Sequence, residues 1–110
     1  RVGIPTEIKV QEFRVGITPA GVMLLKKPVT RPRAEGAGLG SMITDEEYVA
    51  AGAQMVATAK ECWDCDMVVK VKEPWLLNTT SSMSLILYTY LHLAPEPALT
   101  KALLEKKVIG

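Results

Sequence analysis

Residues 67–71 read Met-Val-Val-Lys-Val, a run rich in β-branched side chains. Such a run is typical of a strand that is buried on both faces of a parallel sheet. Residues 85–91, Leu-Ile-Leu-Tyr-Thr-Tyr-Leu, predict a second strand of the same kind. Amphipathic helical patterns separate the apolar runs along the chain. The sequence therefore predicts an α/β fold with a doubly wound, mostly parallel sheet and helices on both faces.

Helix signals lie on either side of these strands. Thr18-Pro19 predicts a helix start, because threonine caps helices and proline suits the first helical position. Thr44 and Glu47 have the spacing of a capping box, and Gly52 predicts the end of that helix. A last helix is predicted over 95–106. Apolar stripes are expected at Val22, Leu24 and Leu25 in the first helix and at Leu99, Leu103 and Leu104 in the last.

The remaining segments are short. Strands are predicted over 1–5 and 54–57 and from 108 onward, and a helix over 59–65. Pro28 and Pro32 disfavour the central strand that this architecture would place between 27 and 35. Residues 74–84 follow neither period and are expected to form a loop.

Composition limits the class of protein. The 110 residues carry 13 Lys and Arg against 12 Asp and Glu, a formal charge of +1, and 48% are hydrophobic. This balance suits one compact domain and excludes low-complexity disorder. The charge favours neither nucleic acid nor an acidic membrane as a partner, and no apolar run approaches the roughly 18 residues of a membrane helix. Two cysteines cannot form a disulfide framework, so a reducing cytoplasm is expected.

Three chemically useful side chains follow predicted strands. Arg14 lies in the loop after the first strand, Lys72 follows 67–71, and His92, the chain's one histidine, follows 85–91. Ligands of open parallel sheets bind at the carboxyl edge, so these three groups are expected to converge there. Guanidinium, ammonium and imidazole together suit a small 2-oxo or 2-amino acid. Lys70 is the rival for the lysine role.

Each group also has a plain alternative. Arg14 could be solvated, Lys72 could form a surface pair with Glu73, and His92 could be a structural histidine. Cys62 and Cys65 form a C-x-x-C without a second ligand pair, so buried structural thiols are favoured over a metal or redox site. The glycines of 36–41 depart from G-x-G-x-x-G and indicate a turn with positive φ. We therefore expect no metal ligands and no cofactor-binding residues in this chain.

Several blocks together resemble the N-terminal part of bacterial alanine dehydrogenases. They are RVGIPTEIKVQEFRVGITPAG at 1–21, EGAGLG at 35–40, ITDEEYVAAGAQ at 43–54, KVKEP at 70–74 and YTYLHLA at 88–94. The proton-translocating transhydrogenases share the first block and the Ala-Gly-Ala of 51–53. They are not similar at KVKEP or at the Tyr-Leu-His-Leu of 90–93, so the resemblance favours the enzyme.

The resemblance implies an NAD-dependent oxidative deamination of L-alanine to pyruvate and ammonia. By matching positions, Arg14 corresponds to the arginine that holds the substrate carboxylate, and Lys72 to the lysine on the carboxylate or carbonyl. His92 corresponds to the catalytic histidine that transfers protons. Lys72 thus serves both binding and catalysis, and Lys70 loses the role. The family also implies a Rossmann-like substrate domain, a second domain that binds NAD, and a homo-oligomer, usually a hexamer.

Residues 1–110 are accordingly interpreted as a portion of an N-terminal substrate domain, with the NAD-binding domain absent from this chain. Such a fragment is not expected to turn over alone. The alternative hypothesis is a non-catalytic binding or assembly module related to the N-terminal domain of the transhydrogenase α subunit. A metal or redox protein built on Cys62 and Cys65 is the third.

Overall fold

The computed structural model describes residues 1–25, 32–34, 36–75 and 84–110. Within these ranges the strands are β1 (Val2–Gly3), β2 (Pro32–Ala34), β3 (Gln54–Val56), β4 (Met67–Val69) and β5 (Ile86–Tyr88). The helices are α1 (Pro19–Leu24), α2 (Asp45–Ala50), α3 (Ala59–Trp63) and α4 (Pro97–Glu105), and a 3-10 turn spans Leu39–Ser41. Strands and helices alternate as predicted as far as β4, and β5 is the next element described after it.

The ladders between described strands are parallel. β4 lies between β1 and β5, with Gly3 opposite Val68 and Val68 opposite Leu87. β2 and β3 form a second, two-stranded parallel sheet. The predicted α/β class is confirmed, although the described strands form two sheets where a single sheet was expected.

The weak stretch at 27–35 is partly visible. β2 begins at Pro32, the position in a strand where a missing N–H costs least. Residues 27–31 and 35 lie outside the described residues, and so do 76–83 of the predicted loop. The strand predicted from 108 onward is present as a single parallel bridge between Ile86 and Ile109.

Local chemistry sets the helix ends. Thr18 caps α1 by accepting a hydrogen bond from the amide of Gly21. Thr44 and Glu47 form the predicted capping box on α2, which ends before Gly52 at a φ of +96°. The expected stripes are only partly right. Val22, Leu99 and Leu103 are buried, whereas Leu24 and Leu104 are exposed, because neither short helix packs more than a narrow face.

Two main apolar clusters support the sheet. One joins Trp63, Val68, Leu85 and Leu87 to Leu99 and Leu103 of α4. The other contains Ile4, Val22, Tyr48 and Ala53 and so packs α1 and α2 beside β1. Full burial of such side chains stabilises by roughly 1.5–3 kcal/mol each. The strand ends that carry the candidate site residues therefore rest on packed core. No described helix is long and apolar enough to cross a membrane.

Candidate functional site

The three predicted site residues lie at one edge of the β1-β4-β5 sheet. Because these strands are parallel and adjacent, their carboxyl ends meet at the same edge. Arg14 lies in the segment between β1 and α1, Lys72 follows β4, and His92 lies between β5 and α4. The structure thus places all three where a parallel sheet offers a binding crevice.

A buried ion pair connects the segment between β1 and α1, called here the Arg14 loop, to the end of β4. Nζ of Lys70 lies 2.8 Å from Oε2 of Glu7, and the two side chains are 2% and 3% exposed. Glu7 also accepts hydrogen bonds from the amides of Val71, at 2.5 Å, and Lys72, at 3.3 Å. Lys70 is thus buried in a structural ion pair. This favours Lys72 over Lys70 as the lysine that contacts substrate.

Lys72 is fixed through its backbone. Its carbonyl oxygen accepts hydrogen bonds from Nζ of Lys70 at 2.7 Å and from Oγ1 of Thr89 at 2.9 Å. Across 1–25, 36–75 and 84–110, no carboxylate lies within ion-pair distance of its ammonium. The expected alternative, a surface pair with Glu73, is wrong, because Glu73 is buried and pairs with Lys9. Lys72 therefore brings to the end of β4 an ammonium that has no ion-pair partner among the described residues.

Arg14 is held by a neighbouring carboxylate. Its Nε and Nη2 donate to the two oxygens of Glu12 at 2.8 and 2.7 Å, and its amide donates to Glu12 at 3.0 Å. The hydrogen bond from Arg14 lowers the pKa of Glu12 to about 2, and the charge of Lys72 contributes in the same direction. The hydrogen bond to Glu12 raises the pKa of Arg14, and Tyr90 adds to this electrostatically. The loops after β1, β4 and β5 therefore lie close enough for their charged groups to interact.

His92 stands against a buried carboxylate. Its Nδ1 lies 3.5 Å from Oε2 of Glu73, and its ring stacks on Tyr90 with centroids 6.2 Å apart. The other carboxylate oxygen of Glu73 accepts a hydrogen bond from Lys9. Burial raises the pKa of Glu73, but the hydrogen bonds from Lys9 and from its own backbone outweigh this and leave it below its usual range.

One glycine lets a site loop approach β4 closely, and a second opens a turn beside that loop. A Cβ on Gly16 would lie 2.6 Å from the carbonyl oxygen of Val69, so the Arg14 loop crosses directly over the end of β4. Gly36 has the positive φ, +71°, that the sequence predicted for this segment. The turn it opens supports the Arg14 loop, because Oγ of Ser41 donates to the carbonyl oxygen of Phe13 at 2.7 Å.

Several backbone amides of the glycine turn at 36–43 donate hydrogen bonds within the turn itself. Those of Leu39, Ser41, Met42 and Ile43 donate to carbonyl oxygens of Gly36, Gly38 and Leu39. They are therefore not arranged as a cradle for a dinucleotide pyrophosphate. Among the described residues no group of three or more His, Cys, Asp or Glu side chains could hold a metal ion.

The two thiols are packed into the domain. Sγ of Cys62 donates to the carbonyl oxygen of Ile4, and Sγ of Cys65 to that of Glu61. Burial raises the pKa of the Cys65 thiol, which favours the unreactive protonated form. Nothing in this arrangement supports the redox hypothesis.

The carboxylates around the site were not predicted from sequence. Glu7 and Lys70 are 63 residues apart, and Lys9 and Glu73 are 64 residues apart. The sequence indicated the position of Glu73 alone, because Glu73 lies beside Lys72 and Pro74 at the end of a predicted strand.

Parallel strands with interleaved helices and a polar cluster at the carboxyl edge define a Rossmann-like α/β domain. The chain belongs to the family described as alanine dehydrogenase/PNT, N-terminal domain, whose model matches residues 3–110. It is 80% identical to an alanine dehydrogenase of Bilophila wadsworthia over 112 aligned residues, which cover 100% of this chain and 30% of the relative.

Solved structures give the same result. An L-alanine dehydrogenase matches with a TM-score of 0.92 and 43% identity, over 97% of this chain and 30% of that one. A transhydrogenase from Sinorhizobium meliloti matches with a TM-score of 0.88 and 28% identity, over 97% and 31%. The chain thus spans about a third of the length of the proteins it resembles.

Proposed function

We propose that this chain is the substrate-domain portion of an NAD-dependent L-alanine dehydrogenase. The reaction converts L-alanine, NAD and water into pyruvate, ammonia and NADH. Relatives named alanine dehydrogenase that match the whole chain support the proposal. The observation that carries it is the position of Arg14, Lys72 and His92 in three loops at one carboxyl edge.

Arg14 and Lys72 supply the positive charge for a small carboxylate substrate. Glu12 occupies Nε and one N–H of Nη2, which leaves the outer N–H groups of the guanidinium to bind a second carboxylate. Glu12 therefore orients Arg14 and leaves N–H donors of the guanidinium available for substrate. The Lys72 ammonium, which has no ion-pair partner in the described part of the chain, is suited to polarise the 2-oxo oxygen or to share the carboxylate.

His92 is assigned the proton transfers. As the C–N bond of alanine becomes an imine, the imidazole accepts a proton from the nitrogen. It then passes protons again while water adds and ammonia leaves. General acid–base catalysis of this kind contributes about 10²- to 10⁴-fold.

NAD supplies the hydride acceptor, and we assign its binding to a second domain outside these 110 residues. In the described glycine turn, the amides of Leu39, Ser41, Met42 and Ile43 already donate to nearby carbonyl oxygens, which supports this assignment. A homo-oligomer, of hexameric form, and a cytoplasmic location belong to the same proposal and rest on the resemblance to the family.

The second candidate is a non-catalytic binding or assembly module related to the transhydrogenases. The TM-score of 0.88 with the Sinorhizobium meliloti transhydrogenase favours it as far as fold is concerned. Such a module would have no need to bring Lys72 and His92 to one edge, and this favours the enzyme.

The test is an assay of the full-length protein. We expect NADH oxidation that requires both pyruvate and ammonia. His92→Ala should lower kcat by about 100-fold or more while the protein stays folded by circular dichroism. The control Lys60→Ala, on an exposed face of α3, should behave like the wild type. Absence of NADH oxidation in the wild type, or near-normal turnover in His92→Ala, would overturn the proposal.

A further inference from the structure

Glu73 carries a buried oxygen that lacks a hydrogen bond. The residue is 8% exposed, its Oε1 accepts from Lys9, and its Oε2 has no hydrogen-bond partner within the described ranges. A buried polar atom left unpaired destabilises the fold, so its surroundings should contain a reason for it.

That reason is His92. Nδ1 of the imidazole lies 3.5 Å from this oxygen, just beyond a normal hydrogen bond. An ionised carboxylate only accepts hydrogen bonds, so the nitrogen that faces it must carry a proton in order to bond. A small closing movement of the exposed His92 ring would make the contact.

We propose that Glu73 is a positioning residue that keeps the proton of His92 on Nδ1 and leaves Nε2 to exchange protons with substrate. This inference rests on the proposed function and adds to it the residue that selects the tautomer. A carboxylate that orients a histidine in this way also stabilises the imidazolium formed when Nε2 accepts a proton.

Two further features hold the ring in place. His92 has a φ of +44°, a left-handed conformation that directs its side chain from an otherwise extended segment. Tyr90 stacks on the ring at an interplanar angle of 29°. The imidazole thus has described contacts with two titratable groups, Glu73 and Tyr90, and Lys9 pairs with Glu73.

The test is Glu73→Gln in the full-length protein, assayed with pyruvate, ammonia and NADH. Glutamine keeps the shape but loses the charge and can present an N–H to Nδ1. We expect kcat to fall about 10- to 100-fold while the pyruvate KM stays within about threefold. Glu73→Asp, which restores the charge, should recover part of kcat. The control Glu105→Gln, an exposed carboxylate at the end of α4, should leave both constants unchanged.

A second variant distinguishes a loss of folding from a loss of catalysis. Lys9→Met/Glu73→Gln removes both charges of the pair, and it should fold and show the same low kcat. Wild-type kcat in folded Glu73→Gln, or a KM rise without a kcat loss, would overturn the inference. If His92→Ala is inactive at the same time, the proposed function stands and only the role of Glu73 fails. Near-normal turnover in His92→Ala would overturn both.

Discussion

Arg14 and Glu12 form an ion pair that faces solvent on one side. The Arg14 side chain is 65% exposed and that of Glu12 is 6% exposed, so the carboxylate is the anchored partner. The pKa of Glu12 is lowered to about 2, chiefly by the hydrogen bond from Arg14. A lowered carboxyl pKa contributes stability above the unfolded value of 4.5, and this stability is lost as the pH falls toward 2. The pair is therefore intact at any neutral assay pH.

Glu12→Gln tests whether this pair orients Arg14 for substrate. Glutamine has one accepting oxygen where the carboxylate has two, and it carries no charge, so the guanidinium is held less firmly. The pyruvate KM should rise by about three- to tenfold with a smaller change in kcat. Steady-state kinetics of the full-length protein measure this, with Glu105→Gln on the exposed face of α4 as the control. An unchanged KM would show that Arg14 needs no help from Glu12.

At the scale of elements, the Glu7–Lys70 pair joins the loop after β1 to the end of β4. Removing one partner of a buried ion pair leaves an uncompensated charge and costs about 3–5 kcal/mol. The loss here would also free the amides of Val71 and Lys72, which Glu7 binds. The effect should therefore concentrate at the site.

Glu7→Gln is accordingly expected to lower the thermal stability and to speed hydrogen exchange in a peptide covering 67–75. Asp64→Asn breaks the exposed Lys60–Asp64 pair of α3, and it should cost no more than about 0.5 kcal/mol. Differential scanning calorimetry and hydrogen-exchange mass spectrometry would measure the two. Equal, small effects in both variants would contradict the structural role given to Glu7.

The elements themselves were largely predictable, because their signals are local. The Thr18 and Thr44 caps lie within three residues of the amides they bind, and the apolar run at 67–71 contains all of β4. The buried faces were less predictable, since Leu24 and Leu104 had the right period and are nevertheless exposed. The contacts of Glu7 and Glu73 join residues more than 60 positions apart, which no local pattern reports.

At the scale of the whole molecule, the 12.0 kDa chain corresponds to 30% of the length of its alanine dehydrogenase relatives. The proposed NAD-binding domain would account for much of the remainder. We expect the intact protein to have a mass of about 40 kDa per subunit, from 12.0 kDa at a 30% share. Intact-mass spectrometry of the natural protein checks this. A mass of 12.0 kDa would favour the binding-module hypothesis instead.

We propose above all that the carboxyl edge of the β1-β4-β5 sheet binds a small 2-oxo acid through Arg14. The most direct measurement is the pyruvate KM of Arg14→Ala in the full-length protein, beside Lys101→Ala on exposed α4 as the control. We expect a KM raised by about tenfold or more, together with slower turnover, in the Arg14 variant alone. An unchanged KM would show that Arg14 is a surface residue and that the substrate binds elsewhere.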